Sequence, residues 1–498
     1  MRVFSDLRPN TAAFETEAFV RPTGFREYDA RWVLEKEINL LGIQALGLGL
    51  ATLSHDLGVP AKIVVGHDFR SYSLSVKQAL TLGLIMGGME VLDIGLALSP
   101  MAYFAQFALD AACVAMVTAS HNENGWTGVK MGAARPLTFG PEEMGQLKEI
   151  VLGGKGRERL GGRLVRIEKF RDRYIEEVAS KVRITRPLKV VAACGNGTAG
   201  AFAPEALAKM GVEVIPMDCD LDYTFPKYNP NPEDQEMLHS MAERVRNTGA
   251  DLALGFDGDG DRCGVVDNEG EEIFADKIGL MLARDLSAQH ANATFIVDVK
   301  STGLYATDPV LKANGARTLY WKTGHSYIKR KTSEEGAVAG FEKSGHFFFN
   351  APFGRGYDDG LVAASAILAM LDRNPGKTLS DLKKALPDAY TSLTMSPHCA
   401  DEAKYGVVNA VVAAYQKLAA DGGKVLGRRI IEVNTVNGVR VGLEDGSWVL
   451  VRASSNKPEL VVVVESLTSA DDMRRLFHEE VKPRLAAHAA VGSYNQEI

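Results

Sequence analysis

The chain is poor in cysteine, and the five it has, Cys113, Cys194, Cys219, Cys263 and Cys399, share no CxxC spacing. An odd number without metal-ligand spacing speaks against a disulfide framework and a structural zinc site, and it fits a reducing compartment. Long apolar runs are also missing. The longest, residues 40–53, is interrupted by Gly42, Gln44, Gly47 and Gly49 and falls short of the ~20 residues a membrane span needs, so it reads as a buried helix. The segment Met1-Arg-Val-Phe-Ser-Asp-Leu-Arg-Pro9 lacks the charged-then-apolar pattern of a signal peptide. Nor does one charge dominate: 56 Lys and Arg against 63 Asp and Glu leave a formal net charge of −7, which indicates no nucleic-acid-binding surface. Local basic groups can still receive an anionic small molecule. No low-complexity linker separates one part of the chain from another. A cytoplasmic protein without a nucleic-acid or membrane partner is expected.

What is present is an ordinary globular composition, 46% hydrophobic and 24% charged over 498 residues, enough for about three or four domains with a core each. One unit recurs three times. It runs Lys62-Ile-Val-Val, Gly66-His-Asp-Phe-Arg70, a helical stretch, then Gly87-Gly-Met-Glu-Val-Leu-Asp93. It returns as Lys189-Val-Val-Ala-Ala, Gly195-Asn-Gly197, a helix to about Met210, then Gly211-Val-Glu-Val-Ile. The third copy is Thr294-Phe-Ile-Val-Asp-Val-Lys300, Ser301-Thr-Gly303, a helix through Ala313, then Gly315-Ala-Arg-Thr-Leu-Tyr320. Strand, polar glycine loop, helix, glycine stop and strand make a βαβ unit. Three of them predict three similar α/β domains with mixed, mostly parallel sheets. Beyond them, Asn-Gly and Asp-Gly turns between the alternating runs of residues 436–452 predict an antiparallel hairpin. With the strand Glu459–Glu465 and a charged helix from Asp471, that makes a C-terminal α+β domain. Boundaries near 168, 270 and 387 give domains 1–168, 169–270, 271–387 and 388–498.

Two segments carry chemistry. Ala112-Cys-Val-Ala-Met-Val-Thr-Ala-Ser-His-Asn122 is an apolar strand ending in a loop with a hydroxyl, an imidazole and an amide. Taken alone, Ser120 reads first as a helix cap or turn residue and only second as a nucleophile; the hydrolase Gly-x-Ser-x-Gly pattern is missing. Asp257-Gly-Asp-Gly-Asp-Arg262 sets three carboxylates at alternate positions, with glycines that let the backbone wrap an ion. Mg²⁺ takes carboxylate oxygens together with a phosphate oxygen. A calcium EF-hand would need glycine and glutamate where Arg262 and Asn268 stand. A serine beside a divalent cation and an arginine is equipped to carry a phosphoryl group. Gly195-Asn-Gly-Thr-Ala-Gly200 after a strand, with Asp218 ending the next one, also spells a dinucleotide fingerprint. That reading, an NAD-dependent oxidoreductase, leaves the serine and aspartate loops without work. Further on, Gly340-Phe-Glu-Lys-Ser-Gly-His346 offers sugar-binding groups. Arg452-Ala-Ser-Ser-Asn-Lys-Pro458 is built as a phosphate cradle.

Together these segments, with Phe25-Arg-Glu-Tyr-Asp-Ala-Arg31, Asp298-Val-Lys300 and Lys322-Thr-Gly-His-Ser326, resemble the α-D-phosphohexomutase family in the family's own order. Within it they resemble most the bacterial phosphomannomutase/phosphoglucomutase branch. The resemblance implies four domains around a central cleft, one key loop from each. It implies an enzyme that interconverts hexose 6-phosphate and hexose 1-phosphate, of mannose, glucose or both, with a hexose 1,6-bisphosphate as intermediate and activator. By it Ser120 is the phosphoserine and, with Asp257, Asp259 and Asp261, a ligand of Mg²⁺. Arg262 supports the serine loop; Lys130 and His346 are the candidate general acid and base. Lys130 would need a lowered pKa to serve as the base, which neighbouring cations would supply. Tyr28, Arg31 and Lys300 are active-site contacts, and Gly324 and His325 form a specificity loop. Glu342 and Ser344 bind the sugar, and Arg452, Ser454, Ser455 and Asn456 hold the phosphate that stays. A monomer is expected, a dimer being left open. Trp32, Glu123 and Thr127 depart from the family's usual glycine, proline and asparagine, and Trp32 puts the approach of its loop to the ligand in doubt. Phosphoglucosamine mutase is the nearest alternative; a phosphatase using Asp257 and Asp259, or a non-catalytic sugar-phosphate binder, stands further off.

Overall fold

The structure is a computed structural model, which describes residues 1–454 and 457–498. It divides into two compact units, Met1–Ala275 with Ser344–Ser380, and Asp276–Lys343 with Asp381–Ile498.

The first unit holds two sheets. One has the strand order Ala30–Val33, Trp126–Gly132, Cys113–Val117, Lys62–His67, Glu90–Leu96 and Arg163–Arg166. Its last four strands run parallel, and the first two pair antiparallel. Every residue of Cys113–Val117 is buried, as expected for a β-rich run covered on both faces of a parallel sheet. Because Lys62–His67 and Cys113–Val117 are parallel neighbours, the loops that follow them, 68–72 and 118–125, leave the sheet side by side. The apolar run from residue 40 is indeed a largely buried helix, Leu40–Asp56. It crosses the helix Ser73–Met86 so closely that a Cβ on Gly83 would lie 2.0 Å from the Gln44 carbonyl oxygen.

The second sheet runs Glu213–Met217, Lys189–Ala193, Leu252–Phe256, Cys263–Asp267, Glu272–Ile273, parallel and then antiparallel. The aspartate motif is therefore the hairpin connection between Phe256 and Cys263. The glycines of residues 195–200 serve packing: a Cβ on Gly197 would meet Gly258 Cα at 3.3 Å, and one on Gly200 would meet the Cys219 carbonyl oxygen at 2.1 Å. Asp218, the ribose ligand of the dinucleotide reading, is taken up by Lys227 Nζ at 2.5 Å and Tyr228 Oη at 2.7 Å. The fingerprint is thus a close-packing device beside the aspartate loop.

The second unit contains the parallel strands Arg317–Trp321, Thr294–Asp298 and Ala339–Phe341. It also contains an antiparallel sheet, Tyr390–Thr391, Leu460–Ser466, Trp448–Ala453, Val439–Leu443, Arg428–Asn434, Lys424–Val425. The hairpin read from Asn437-Gly438 and Asp445-Gly446 is its centre. Arg440, buried between the rings of Tyr320 and Trp448, donates to the carbonyls of Val299 and Ser301 at 2.6 and 2.9 Å. That guanidinium fixes the backbone on both sides of Lys300. No helix of the described residues is long and apolar enough to cross a membrane.

In the first unit the helix Gly360–Arg373 is capped by the buried Asp359, which accepts from the N–H groups of Leu361 and Val362 and from Tyr174 Oη. Burial pushes this carboxyl up to about 7. An unfolded aspartate titrates near ~4, so the folded chain holds an extra proton between the two values. This group's stabilising share is complete below about pH 4 and is lost as pH rises through the folded value. Asp359→Asn, which keeps the cap, is expected to flatten the decline of urea stability across that window; an unchanged slope would contradict this.

Candidate active site

Ser120 follows the buried strand Cys113–Val117 in a left-handed conformation, φ 52°, which a non-glycine residue adopts only when its surroundings impose it. Its Oγ lies 3.1 Å from Asp257 Oδ2 and 3.2 Å from His121 Nδ1. Gly258 approaches from the second sheet; a Cβ there would stand 2.5 Å from the Ser120 carbonyl oxygen. Contact between the two motifs thus requires the first glycine of the aspartate loop. Arg262, the expected support of the serine loop, stands beside His121, and a residue that sequence reasoning missed holds the loop's backbone. Arg70, in the neighbouring loop, donates to the carbonyls of Ser120, Asn122 and Glu123 at 2.9, 2.6 and 3.1 Å. Only its place after a parallel strand could have flagged it.

Asp257, Asp259 and Asp261 are fully buried, and one carboxylate oxygen from each lies within 4.8 Å of the others. Lys130 Nζ sits against them, 2.6 Å from Asp259 Oδ2 and 2.5 Å from Asp261 Oδ2. Ser99 Oγ also donates to Asp259 Oδ2. Oδ1 of both Asp259 and Asp261 has no hydrogen-bond partner among the described residues. Burial and the charges of Asp259 and Asp261 push Asp257 well above the usual carboxylate range. Burial would raise Asp259 too, but Lys130 holds it far below its ordinary value. Unpartnered anionic oxygens in a hard-oxygen cluster are what a divalent cation takes up, so the residues fit a metal. The expectation for Lys130 needs correcting. Burial alone would lower it, yet Asp259 and Asp261 raise it well above its ordinary value; its neighbours are carboxylates, not cations.

Arg262 Nε donates to His346 Nε2 at 3.0 Å, and its Nη1 pairs with Glu233 at 2.9 Å. An arginine only donates, so His346 Nε2 presents a lone pair. His346 Nδ1 lies 3.0 Å from Asp358 Oδ2 and 3.6 Å from Asp261 Oδ1. His121, beside the Arg262 guanidinium and half-buried, is pushed well below the ordinary imidazole value by that charge and by desolvation. Tyr28 and Arg31 are half-buried in the same unit, Arg31 pairing with Asp29 at 2.8 Å. Ser344 is buried there as well. The Trp32 ring points inward, with Nε1 donating to the Arg21 carbonyl at 2.8 Å and the ring edge-on to Phe25. It fills core. Glu123 is exposed and Thr127 is buried in its strand.

The second unit carries Lys300, Gly324, His325, Glu342, Arg452 and Ser454. Asp298 gathers three of its loops, accepting from Ser301 Oγ at 2.6 Å, Thr323 Oγ1 at 3.2 Å and the Lys343 N–H at 3.4 Å. His325 and Glu342 are buried there. Lys404 Nζ holds the carbonyls of Ser454 and Lys457 at 2.7 and 3.1 Å. Ser455 and Asn456 lie outside the described residues.

Models of the phosphoglucomutase/phosphomannomutase alpha/beta/alpha domains I, II and III match residues 22–157, 172–270 and 274–390, and that of the C-terminal domain matches 398–482. The chain is 33% identical over 450 residues to a phosphomannomutase/phosphoglucomutase of Pseudomonas putida, covering 90% of this chain and 93% of the relative. It is 32% identical to a phosphoglucomutase of Neisseria gonorrhoeae, with coverage of 90% and 93%. The crystal structure of a phosphoglucomutase/phosphomannomutase family protein from Burkholderia thailandensis matches with a TM-score of 0.84 at 29% identity, over 94% of this chain and 98% of that one.

Titration with Mn²⁺ is expected to reveal one saturable site per chain, lost when Asp259→Asn and Asp261→Asn are combined and retained in Ser120→Ala. Binding that survives the double substitution would place the ion elsewhere.

Proposed function

The chain belongs to the phosphoglucomutase/phosphomannomutase family, and we propose that it interconverts hexose 6-phosphate and hexose 1-phosphate through a phosphorylated Ser120. The observation that carries this reading is Ser120 Oγ within 3.1 Å of Asp257 in a buried acidic cluster with unpartnered oxygens. Phosphoserine 120 passes its phosphoryl to the free hydroxyl of the sugar: a P–O bond to the sugar forms, the bond to Oγ breaks, and the hydroxyl proton leaves to a base. The hexose 1,6-bisphosphate so formed reverses and returns its other phosphoryl to Oγ. Asp257, Asp259, Asp261 and Ser120 would hold Mg²⁺, which when bound would supply charge neutralisation. His346 is the proposed base, and it would take the proton on Nε2 once that lone pair is released from Arg262. Lys130, kept as an ammonium, suits proton donation and charge stabilisation. Arg262 lies between His346 and the acidic cluster, where it meets the charge that develops on the phosphoryl oxygens.

The remaining assignments rest on the resemblance. Tyr28, Arg31 and Lys300 contact the substrate, and Gly324 and His325 shape specificity. Glu342 and Ser344 take sugar hydroxyls, and Arg452, Ser454, Ser455 and Asn456 grip the non-reacting phosphate. The four domains proposed, 1–168, 169–270, 271–387 and 388–498, supply one loop each. Mannose and glucose phosphates are the proposed substrates, and a cytoplasmic monomer the proposed state.

Ser120→Ala is expected to abolish isomerisation and leave no stable protein-bound phosphate; full turnover in that variant would sink the assignment. A phosphatase would instead release free phosphate without labelling Ser120. Assaying mannose, glucose and glucosamine phosphates side by side decides the sugar, glucosamine phosphate being the expected poor substrate. Arg452→Ala should chiefly raise KM, because it grips the end that does not react; a large kcat loss at constant KM would contradict that role.

A further inference from the structure

We infer that Asp68 and Arg70, which no step above uses, are positioning residues that hold Ser120 in its strained, transfer-ready conformation; the inference rests on Ser120 being the phosphoryl carrier. Both are buried, with 1% and 5% of their surface exposed. Their loop is fastened to the serine strand at its base, where the Asp68 N–H donates to the Val117 carbonyl at 3.0 Å. From there the two side chains divide the work. The Arg70 guanidinium reaches the carbonyls of Ser120, Asn122 and Glu123, and the Phe225 ring lies 5.3 Å from it. Asp68 Oδ2 accepts from Arg70 Nε at 3.3 Å, from Thr118 Oγ1 at 2.9 Å and from the Ala119 N–H at 3.3 Å. Its other oxygen takes the Ser73 hydroxyl at 2.5 Å. The Thr118 hydroxyl then accepts the Ser120 N–H at 2.8 Å. The backbone of Ser120 is therefore held at both ends, N–H through Thr118 to Asp68 and C=O by Arg70.

The chemistry explains why an arginine is needed. A positive φ at serine persists only where neighbouring groups over-determine it. Three carbonyls diverging around one turn call for a planar fork with five donors; a lysine ammonium offers a compact point charge instead. The negative ends of those carbonyls also meet a cation, which keeps them from facing the phosphoryl group that Ser120 carries. Neither residue grips the sugar in this scheme, so their loss should fall on the transfer step and not on substrate binding.

The test compares Arg70→Lys, Thr118→Val and Thr118→Ser with the parent, with rates normalised to folded protein. Arg70→Lys is expected to lower kcat by roughly a hundredfold, the scale of a small misplacement of reacting groups, with KM within about threefold. Amide hydrogen exchange across residues 118–124, measured without substrate, should accelerate in the same variant. Should Arg70→Lys fail to fold, the threonine pair decides: Thr118→Val keeps the volume and loses the hydroxyl, so it should behave like Arg70→Lys. Thr118→Ser keeps the hydroxyl and loses a methyl, so it should recover most of the rate and the protection. A packing role would give the opposite order for the threonine pair and would overturn the inference. So would a folded Arg70→Lys with kcat within about threefold of the parent, a loss confined to KM, or unchanged exchange. A parent without isomerase activity would refute the mutase reading alone, because the exchange measurement still judges the positioning claim.

Discussion

Three carboxylates folded into one fully buried loop repel one another and lack water to screen them, and the rest of the first unit is arranged around that problem. Two counter-charges are built in: Lys130, from the strand Trp126–Gly132 of the first sheet, reaches Asp259 and Asp261, and Arg262 Nε lies 3.9 Å from Asp257. The compensation is uneven. Asp259 is held ionised, while Asp257 is pushed toward its protonated form. Asp257 is also the carboxylate beside the Ser120 hydroxyl. A phosphoryl group on Ser120 and a divalent cation would therefore both meet Asp257.

This constraint explains features that otherwise look unrelated. Gly258 is dictated by the Ser120 carbonyl oxygen, and Gly197 by Gly258. Thr198, three residues after the Cys194-Gly195 turn that ends the strand Lys189–Ala193, accepts the Phe69 N–H at 2.8 Å and donates its own N–H to the Gly258 carbonyl at 3.3 Å. One sheet's glycine loop thereby joins the aspartate loop to the loop that carries Asp68 and Arg70. A dinucleotide phosphate would need the same glycines for its own approach; here protein backbone takes that space.

Local pattern made the fold readable. Period, glycine stops and Asn-Gly or Asp-Gly turns each act over a few residues, so the three βαβ repeats, the buried helix from residue 40 and the C-terminal hairpin could be written from sequence. The site was readable where its chemistry is contiguous, as in the serine and aspartate loops. It was obscure where partners are far apart in the chain. Arg70 meets carbonyls about fifty residues away, and Lys130 meets aspartates some 130 residues on. No spacing rule reports whether a lysine's neighbours are cations or carboxylates, which is why its expected pKa direction came out reversed. Trp32 illustrates the converse: an unfamiliar residue in a familiar motif looked like a threat to the site, yet strand alternation turns its ring to the core and Arg31 to the other face.

Ser120, the three aspartates, Lys130, Arg262 and His346 all belong to one compact unit. The distances among these groups are therefore set by strand ends and loops within that unit. A bisphosphate that reversed between two half-reactions, as proposed, would impose opposite demands: fixed geometry at the phosphoryl group, adaptable grip on everything else. Fixed geometry is met by burial, by glycine-enforced contact and by a guanidinium holding three carbonyls. The same devices make that part of the molecule the least tolerant of change, because each partner removed leaves a buried charge or a strained serine without its support.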